Sequence, residues 1–140
     1  MRLLIDTNVF LDLLLDREKE VGDIAEAFFT WCCYKKNRIY ITSMSLRDIE
    51  YVAHRIYRDK KKAKDIQFAA YQMCSKVLGI SADSAIESLY SDAEDYEDSL
   101  IIEAAKEEML DVIVTNNKKD FYKGNVPVFT PKEIVEHGKN

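Results

Sequence analysis

Two periods of apolar residues order this chain. Leu3, Leu4 and Ile5 are consecutive, so Arg2 to Ile5 is predicted as a short strand buried on both faces. From Thr7 to Leu15 the spacing turns helical, with Phe10, Leu11, Leu14 and Leu15 on one side, and Asp16-Arg17 breaks it. Val21, Ile24, Ala25, Phe28, Trp31 and Cys32 keep a 3.6-residue period through a second helix, from about Glu18 to Lys36. Arg38 to Thr42 is a second strand. Ser43 or Ser45 then caps a third helix, with Leu46, Ile49, Val52, Ala53 and Ile56 as its stripe. A basic stretch, Arg58 to Lys64, leads into another helix reaching about Leu78, and Val77 to Ile80 has room for a short strand.

The second half repeats the alternation. A small helix is predicted from Asp83 to Tyr90 and a longer one from about Asp95 to Met109. Asp111 to Thr115 is a strand, "NNKKDFY" (116–122) a loop, and Val126 to Phe129 the last strand. "TPKE" (130–133) opens a final helix, with Thr130 as cap, proline at the first helical position and Glu133 following. Strands alternating with helices predict one domain over residues 1–140, a parallel sheet covered on both faces.

Composition narrows the class. At 140 residues and 47% apolar content, with few Gly and Pro, a normal core can form. The net charge of −5 gives no global attraction for nucleic acid, but it is unevenly spread. Met44 to Lys64 holds seven basic residues against three acids, while Asp83 to Glu108 holds ten acids and one lysine. Three cysteines, two adjacent and without a C-x-x-C pair, suggest neither disulfides nor zinc. They read as small buried apolar residues of a protein in a reducing cytoplasm. Asp6, Asp12 and Asp16 interrupt the apolar start, which excludes a membrane span there.

Candidate chemistry lies in the carboxylates. Ligands of open α/β sheets bind beyond the carboxyl ends of strands, and three strands end in polar residues: Ile5-Asp6-Thr7, Ile41-Thr42-Ser43 and Val114-Thr115-Asn116. Asp6 is there either as a plain helix cap or as a site residue. On a wheel of 100° per residue, Ile101, Ile102, Ala105 and Met109 fall within about 60° of Asp98. A carboxylate on an apolar face needs a hydrogen bond, a cation or a metal. Asp95 is on the same side and is also a possible cap, Glu97 points elsewhere, and Glu94 precedes the helix. In the third helix Asp48 and Glu50 flank the stripe on opposite edges. Asp48 is three residues after Ser45, a capping-box position, and this leaves Glu50 as the freer residue. Asp120, in the loop after Thr115, is a turn former or a further ligand, and Asn116 and Asn117 could add neutral oxygens. Clustered carboxylates repel one another unless a hard cation such as Mg²⁺ or Mn²⁺ joins them. No phosphate-cradling glycine loop and no Ser-His-Asp or Cys-His set is present.

Four stretches in order, "LLIDTNVFLDLL", "SMSLRDIEYV", "DYEDSLIIEAA" and "DVIVTNNKKDF", resemble the PIN domain family, in particular its small VapC-type toxin ribonucleases. The resemblance covers nearly the whole chain. It implies a three-layer α/β/α sandwich with a parallel sheet of four to five strands, and Mg²⁺- or Mn²⁺-dependent hydrolysis of RNA. By position it implies the catalytic, metal-holding quartet Asp6, Glu50, Asp98 and Asp120, supported by Asn8, Thr115, Asn116, Asn117 and Asp95. It also implies an antitoxin partner and a homodimer; no membrane partner is expected, from the interrupted apolar start. Where relatives often carry an aspartate shortly after the strand-ending threonine, this chain has Asn117. Arg55, Arg58, Lys60, Lys61, Lys62 and Lys64 are expected to bind RNA phosphates, and Tyr57 to pack rather than stack on a base. A phosphorylated receiver domain lacks its acceptor here, because the second strand ends in Thr42-Ser43. A haloacid-dehalogenase-like phosphatase would need an aspartate at Asn8. A degenerate PIN-like module that binds RNA or protein is the alternative, favoured by Asn117 alone.

Overall fold

The structure is a computed structural model and describes residues 1–91, 95–121 and 125–139. Its strands are β1 (Arg2–Ile5), β2 (Arg38–Thr42), β3 (Lys76–Leu78), β4 (Val112–Val114) and β5 (Val128–Phe129). Its helices are α1 (Thr7–Leu14), α2 (Lys19–Tyr34), α3 (Ser43–Tyr57), α4 (Lys60–Gln72), α5 (Ala82–Leu89), α6 (Tyr96–Glu107) and α7 (Pro131–Lys139), with a 3-10 turn at Lys118–Asp120. All strand pairs are parallel and the sheet order is β3-β2-β1-β4-β5. β1 is central, in register with β2 at Leu3↔Ile39 and with β4 at Leu3↔Val112.

The chain builds outward from β1 through β2 to β3, then returns to add β4 on the other side. The order therefore reverses between β1 and β4, and a crevice opens at the carboxyl ends of that pair. Alternate residues of the strands feed two cores. Leu3, Ile5, Ile39, Ile41, Val112 and Val114 pack with Phe10, Phe28, Ile49, Ala53 and Ile134, covering one face with α1–α4 and α7. Leu4, Tyr40, Leu78 and Ile113 pack with Ile101, Ile102, Ala105 and Phe121 on the other face, under α6. This gives the three-layer α/β/α sandwich expected, with five strands.

Several boundaries differ from expectation for local reasons. The helix after the basic stretch ends at Gln72, because Lys76–Leu78 pairs with β2 as an edge strand. Asp59 caps it, accepting from the Lys62 amide at 3.0 Å. α6 stops at Glu107, and Met109 follows with a positive φ of 54° and 79% exposure, so Met109 is not on the apolar face. Ile56 is likewise exposed at the end of α3. Cys33 is exposed, whereas burial pushes the thiols of Cys32 and Cys74 up to about 12. The α7 start forms the reciprocal box expected: Thr130 N donates to Glu133 Oε2, and Glu133 N to Thr130 Oγ1. Glu94, and Tyr122 at the end of the predicted loop, lie outside the described residues. Among the described residues no helix is long and apolar enough to cross a membrane.

Candidate active site

The crevice is floored by hydroxyls. Asp6 follows β1 and is buried, with its Oδ1 capping α1 by accepting from Thr7 N at 2.8 Å. Its Oδ2 accepts from Thr115 Oγ1, just past β4, at 2.8 Å. Thr115 is wholly buried and its oxygen also accepts from Asn117 N. Across β1 and β2, Ser45 Oγ accepts from Thr7 and Thr42 hydroxyls at 2.9 and 3.1 Å. Thr42 itself caps α3 by accepting from Ser45 N. The ends of β1, β2 and β4 are thus tied by short hydroxyl bonds, each costly to leave unmade at this depth. Both alternatives for Asp6 hold together: it caps a helix, and its carboxylate lines the crevice.

Acidic groups meet here, with Arg47 paired to one of them, Asp48, at 2.9 Å. Asp98 is half-buried in the first turn of α6, with Ile101 and Ile102 of its helix in the core below. Burial, then the charges of Asp95, Asp6, Asp120 and Glu97, push its carboxyl up to about 7. Burial also raises Asp6. The Thr115 and Thr7 bonds oppose this, and the charges of Asp120 and Asp48 add to it. No positive side chain figures among the main charges acting on either group. Asp120 closes the 3-10 turn, exposed, its amide bonded to Asn117 O. Asp6, Asp98 and Asp120 are therefore brought into one electrostatic cluster.

The third helix places its acids differently from expectation. Met44 packs in the core beneath α6, and Asp48 is one turn further along that same side. Leu46 packs instead against the core on the opposite face of the sheet, and its backbone carbonyl accepts from Gln67 Nε2 of α4 at 2.8 Å. Glu50 is one turn after Leu46 and so stands on the α4 side. Asp48 is among the main charges that raise Asp6, and Glu50 is not. The cap of α3 is Thr42, which leaves Asp48 without the capping duty the spacing suggested. Recognising the strand-ending threonine as the cap would have freed Asp48 in the sequence.

The supporting residues divide. Asp95 is the cap of α6, accepting from Glu97 N at 2.8 Å. Asn116 Nδ2 donates to Asp12 Oδ2 at 2.7 Å, a partner the spacing did not suggest. Asn117 contributes its backbone amide to Thr115, and Asn8 is exposed in the first turn of α1. The basic stretch is remote. Tyr57, at the far end of α3, is about 18 Å along the axis from Ser45 at 1.5 Å per residue. Its hydroxyl donates to Asp16 at 3.2 Å and Lys62 Nζ covers its ring at 3.7 Å, a packing role as expected. Arg58, Lys60, Lys61, Lys62 and Lys64 are exposed beyond it, with Lys61 paired to Asp65.

Among the described residues no group of three or more His, Cys, Asp or Glu side chains is set to hold one metal ion together. The donor chemistry nevertheless fits a hard divalent cation: anionic oxygens, burial that disfavours their charge, and no cation among the main charges on Asp6 or Asp98. The set supplies the charge of a metal centre without a finished coordination shell.

Known proteins share this arrangement of elements. A toxin–antitoxin complex from Klebsiella pneumoniae is similar at 22% identity and TM-score 0.63, over 93% of this chain and 98% of that one. VapBC2 from Rickettsia felis, bound to a promoter DNA fragment, is similar at 19% identity and TM-score 0.69, over 93% and 98%. The sarcin-ricin-loop-cleaving toxin VapC20 from Mycobacterium tuberculosis is similar at 13% identity and TM-score 0.63, over 79% and 86%. At these identities the likeness is one of fold. No curated protein sequence matches the chain. The family model of the PIN domain matches residues 2–119, which include β1, the hydroxyl ties and the crevice residues Asp6, Asp48 and Asp98, with Asp120 following directly after. The chain belongs to the PIN domain family.

Proposed function

We propose that the protein is a metal-dependent endoribonuclease, the toxin of a toxin–antitoxin pair. The observation that carries this is the convergence of Asp6, Asp98, Asp120 and Asp48 at the β1/β4 switch point, where the main charges acting on Asp6 and Asp98 are all negative. Asp6, Asp48, Asp98 and Asp120 would hold Mg²⁺ or Mn²⁺. Glu50, on the α4 side, is the alternative fourth carboxylate. When bound, the ion supplies charge neutralisation at the phosphoryl oxygens and lowers the pKa of a water for attack at phosphorus.

The chain's own residues do the rest. Thr115 and Thr7 fix the orientation of Asp6 through its two oxygens, so it presents a constant geometry to the crevice. Asp98, pushed up to about 7 in the metal-free protein, loses its proton when a cation arrives, so binding strengthens as pH rises through that value. Asn116, whose amide nitrogen is held by Asp12, would offer its carbonyl oxygen as a neutral ligand. The basic stretch would hold RNA phosphates away from the cut, and binding there weakens as salt rises. The similarity to a toxin–antitoxin complex supports a protein partner, and the similarity to a sarcin-ricin-loop-cleaving toxin supports RNA as substrate. A homodimer and a cytoplasmic location accord with the reading.

The test is cleavage of single-stranded RNA with Mn²⁺ by wild type and Asp98→Asn. Wild-type cleavage that EDTA abolishes, and a variant slower by a hundredfold or so, is the expected result. Equal rates in the two proteins overturn the assignment.

A further inference from the structure

We infer that the outward ridge of α3, Arg47, Tyr51 and Arg55, is a stacking track for single-stranded RNA leading away from the carboxylate crevice. The three residues are spaced i, i+4, i+8, so they stack along one side of the helix. Tyr51 is 49% exposed, and both guanidinium carbons stand 5.8 Å from the centre of its ring. Arg55 Nη1 also donates to the Tyr51 hydroxyl at 3.1 Å, which holds the ring against the helix. Arg47 pairs with Asp48 at 2.9 Å, so the track begins at the crevice residue of α3. Arg55 makes no ion pair among the described residues, and its charge is free for a phosphate. Arg58 follows it and opens the basic stretch. The ridge thus joins two features that α3 otherwise holds about 18 Å apart.

The chemistry selects the partner. An exposed ring bracketed by guanidinium groups offers a π-face for a base and cations for the phosphates on either side of it. Only an unpaired base can reach such a face, so single strands are preferred to duplex. A protein partner would need an apolar or acidic surface to match. The segment's seven basic residues against three acids, and its continuity with the proposed phosphodiester site, favour RNA.

The inference rests on the ribonuclease reading for its substrate, and binding is measured in EDTA so that the two fail separately. The probe is a short fluorescein-labelled oligouridylate, followed by anisotropy over a salt series. Tyr51→Ala is expected to weaken binding roughly five- to hundredfold, while Tyr51→Phe stays within about twofold. Arg55→Ala should reduce the salt slope by about one, and Arg55→Lys should restore it. Tyr71→Ala, an equally exposed aromatic on α4, is the control and should bind as wild type. Because Tyr51 is exposed, melting temperatures of its variants should match wild type. The track is overturned if wild type does not bind the oligonucleotide, or if Tyr51→Ala binds as wild type does. It is also overturned if Tyr51→Ala disturbs only a protein partner. Normal binding with no Mn²⁺-dependent cleavage overturns the nuclease reading and leaves the track standing.

Discussion

Asp98→Asn should stabilise the metal-free protein, by an amount that depends on pH. The Asp98 carboxyl moves from 3.8 in the unfolded chain to about 7 in the folded one, through burial and then the charges of Asp95, Asp6 and Asp120. At 1.36 kcal/mol per unit, a sealed site would lose about 4 kcal/mol on ionisation. Asp98 is only half-buried, and solvent screening reduces this to roughly 1–2 kcal/mol. Below about pH 4 both folded and unfolded states hold the proton and nothing is lost. Between about pH 4 and 7 the folded state keeps a proton the unfolded chain has released, so stability falls as pH rises. Above about pH 7 the loss is complete. Asparagine does not titrate and avoids it. Thermal melts in EDTA from about pH 5 to 8 should show the variant above wild type by a gap that widens with pH and reaches roughly 3–6 °C. Excess Mn²⁺ should then raise wild type more than the variant. A gap independent of pH, or a variant that melts lower throughout, would refute the electrostatic account of the crevice.

Other outcomes follow from the same geometry. Asp48→Asn should slow Mn²⁺-dependent RNA cleavage by about a hundredfold while Glu50→Gln stays within a few-fold, measured as initial rates; the reverse order would restore Glu50 as the fourth carboxylate. Thr115→Val removes the donor to Asp6 and the acceptor for the Asn117 amide, and should cost about 1–3 kcal/mol in denaturant unfolding, largely recovered by Thr115→Ser. Ile49→Ala, beneath the site on α3 and wholly buried, should cost about 2–5 kcal/mol by the same measurement.

Much of this was legible along the chain, and the exceptions are tertiary. Consecutive apolar residues marked β1, β2 and β4, and "TPKE" marked α7, because each signal is local. Asp6 and Asp98 were legible because a charge that ends a buried strand, or sits on an apolar face, needs explaining wherever it occurs. Asp48 was not, since it and Glu50 flank the stripe of α3 symmetrically. What separates them is that Met44 packs beneath α6 while Leu46 meets α4, and no local pattern carries that. The same limit applies to the basic stretch. Its charge was plain, but its distance from the carboxylates depends on α3 running away from the crevice. β3 was blurred because an edge strand of three residues gives too short a run to interrupt a helical period.

The most direct test of the central claim, a divalent-ion site built from Asp6, Asp48, Asp98 and Asp120, is calorimetric titration of the protein with Mn²⁺ at about pH 6, in buffers of different ionisation enthalpy. The account predicts saturable binding that releases close to one proton, the one held by Asp98, and that is lost in Asp98→Asn. Absence of binding, or binding unchanged in Asp98→Asn and without proton release, would contradict it.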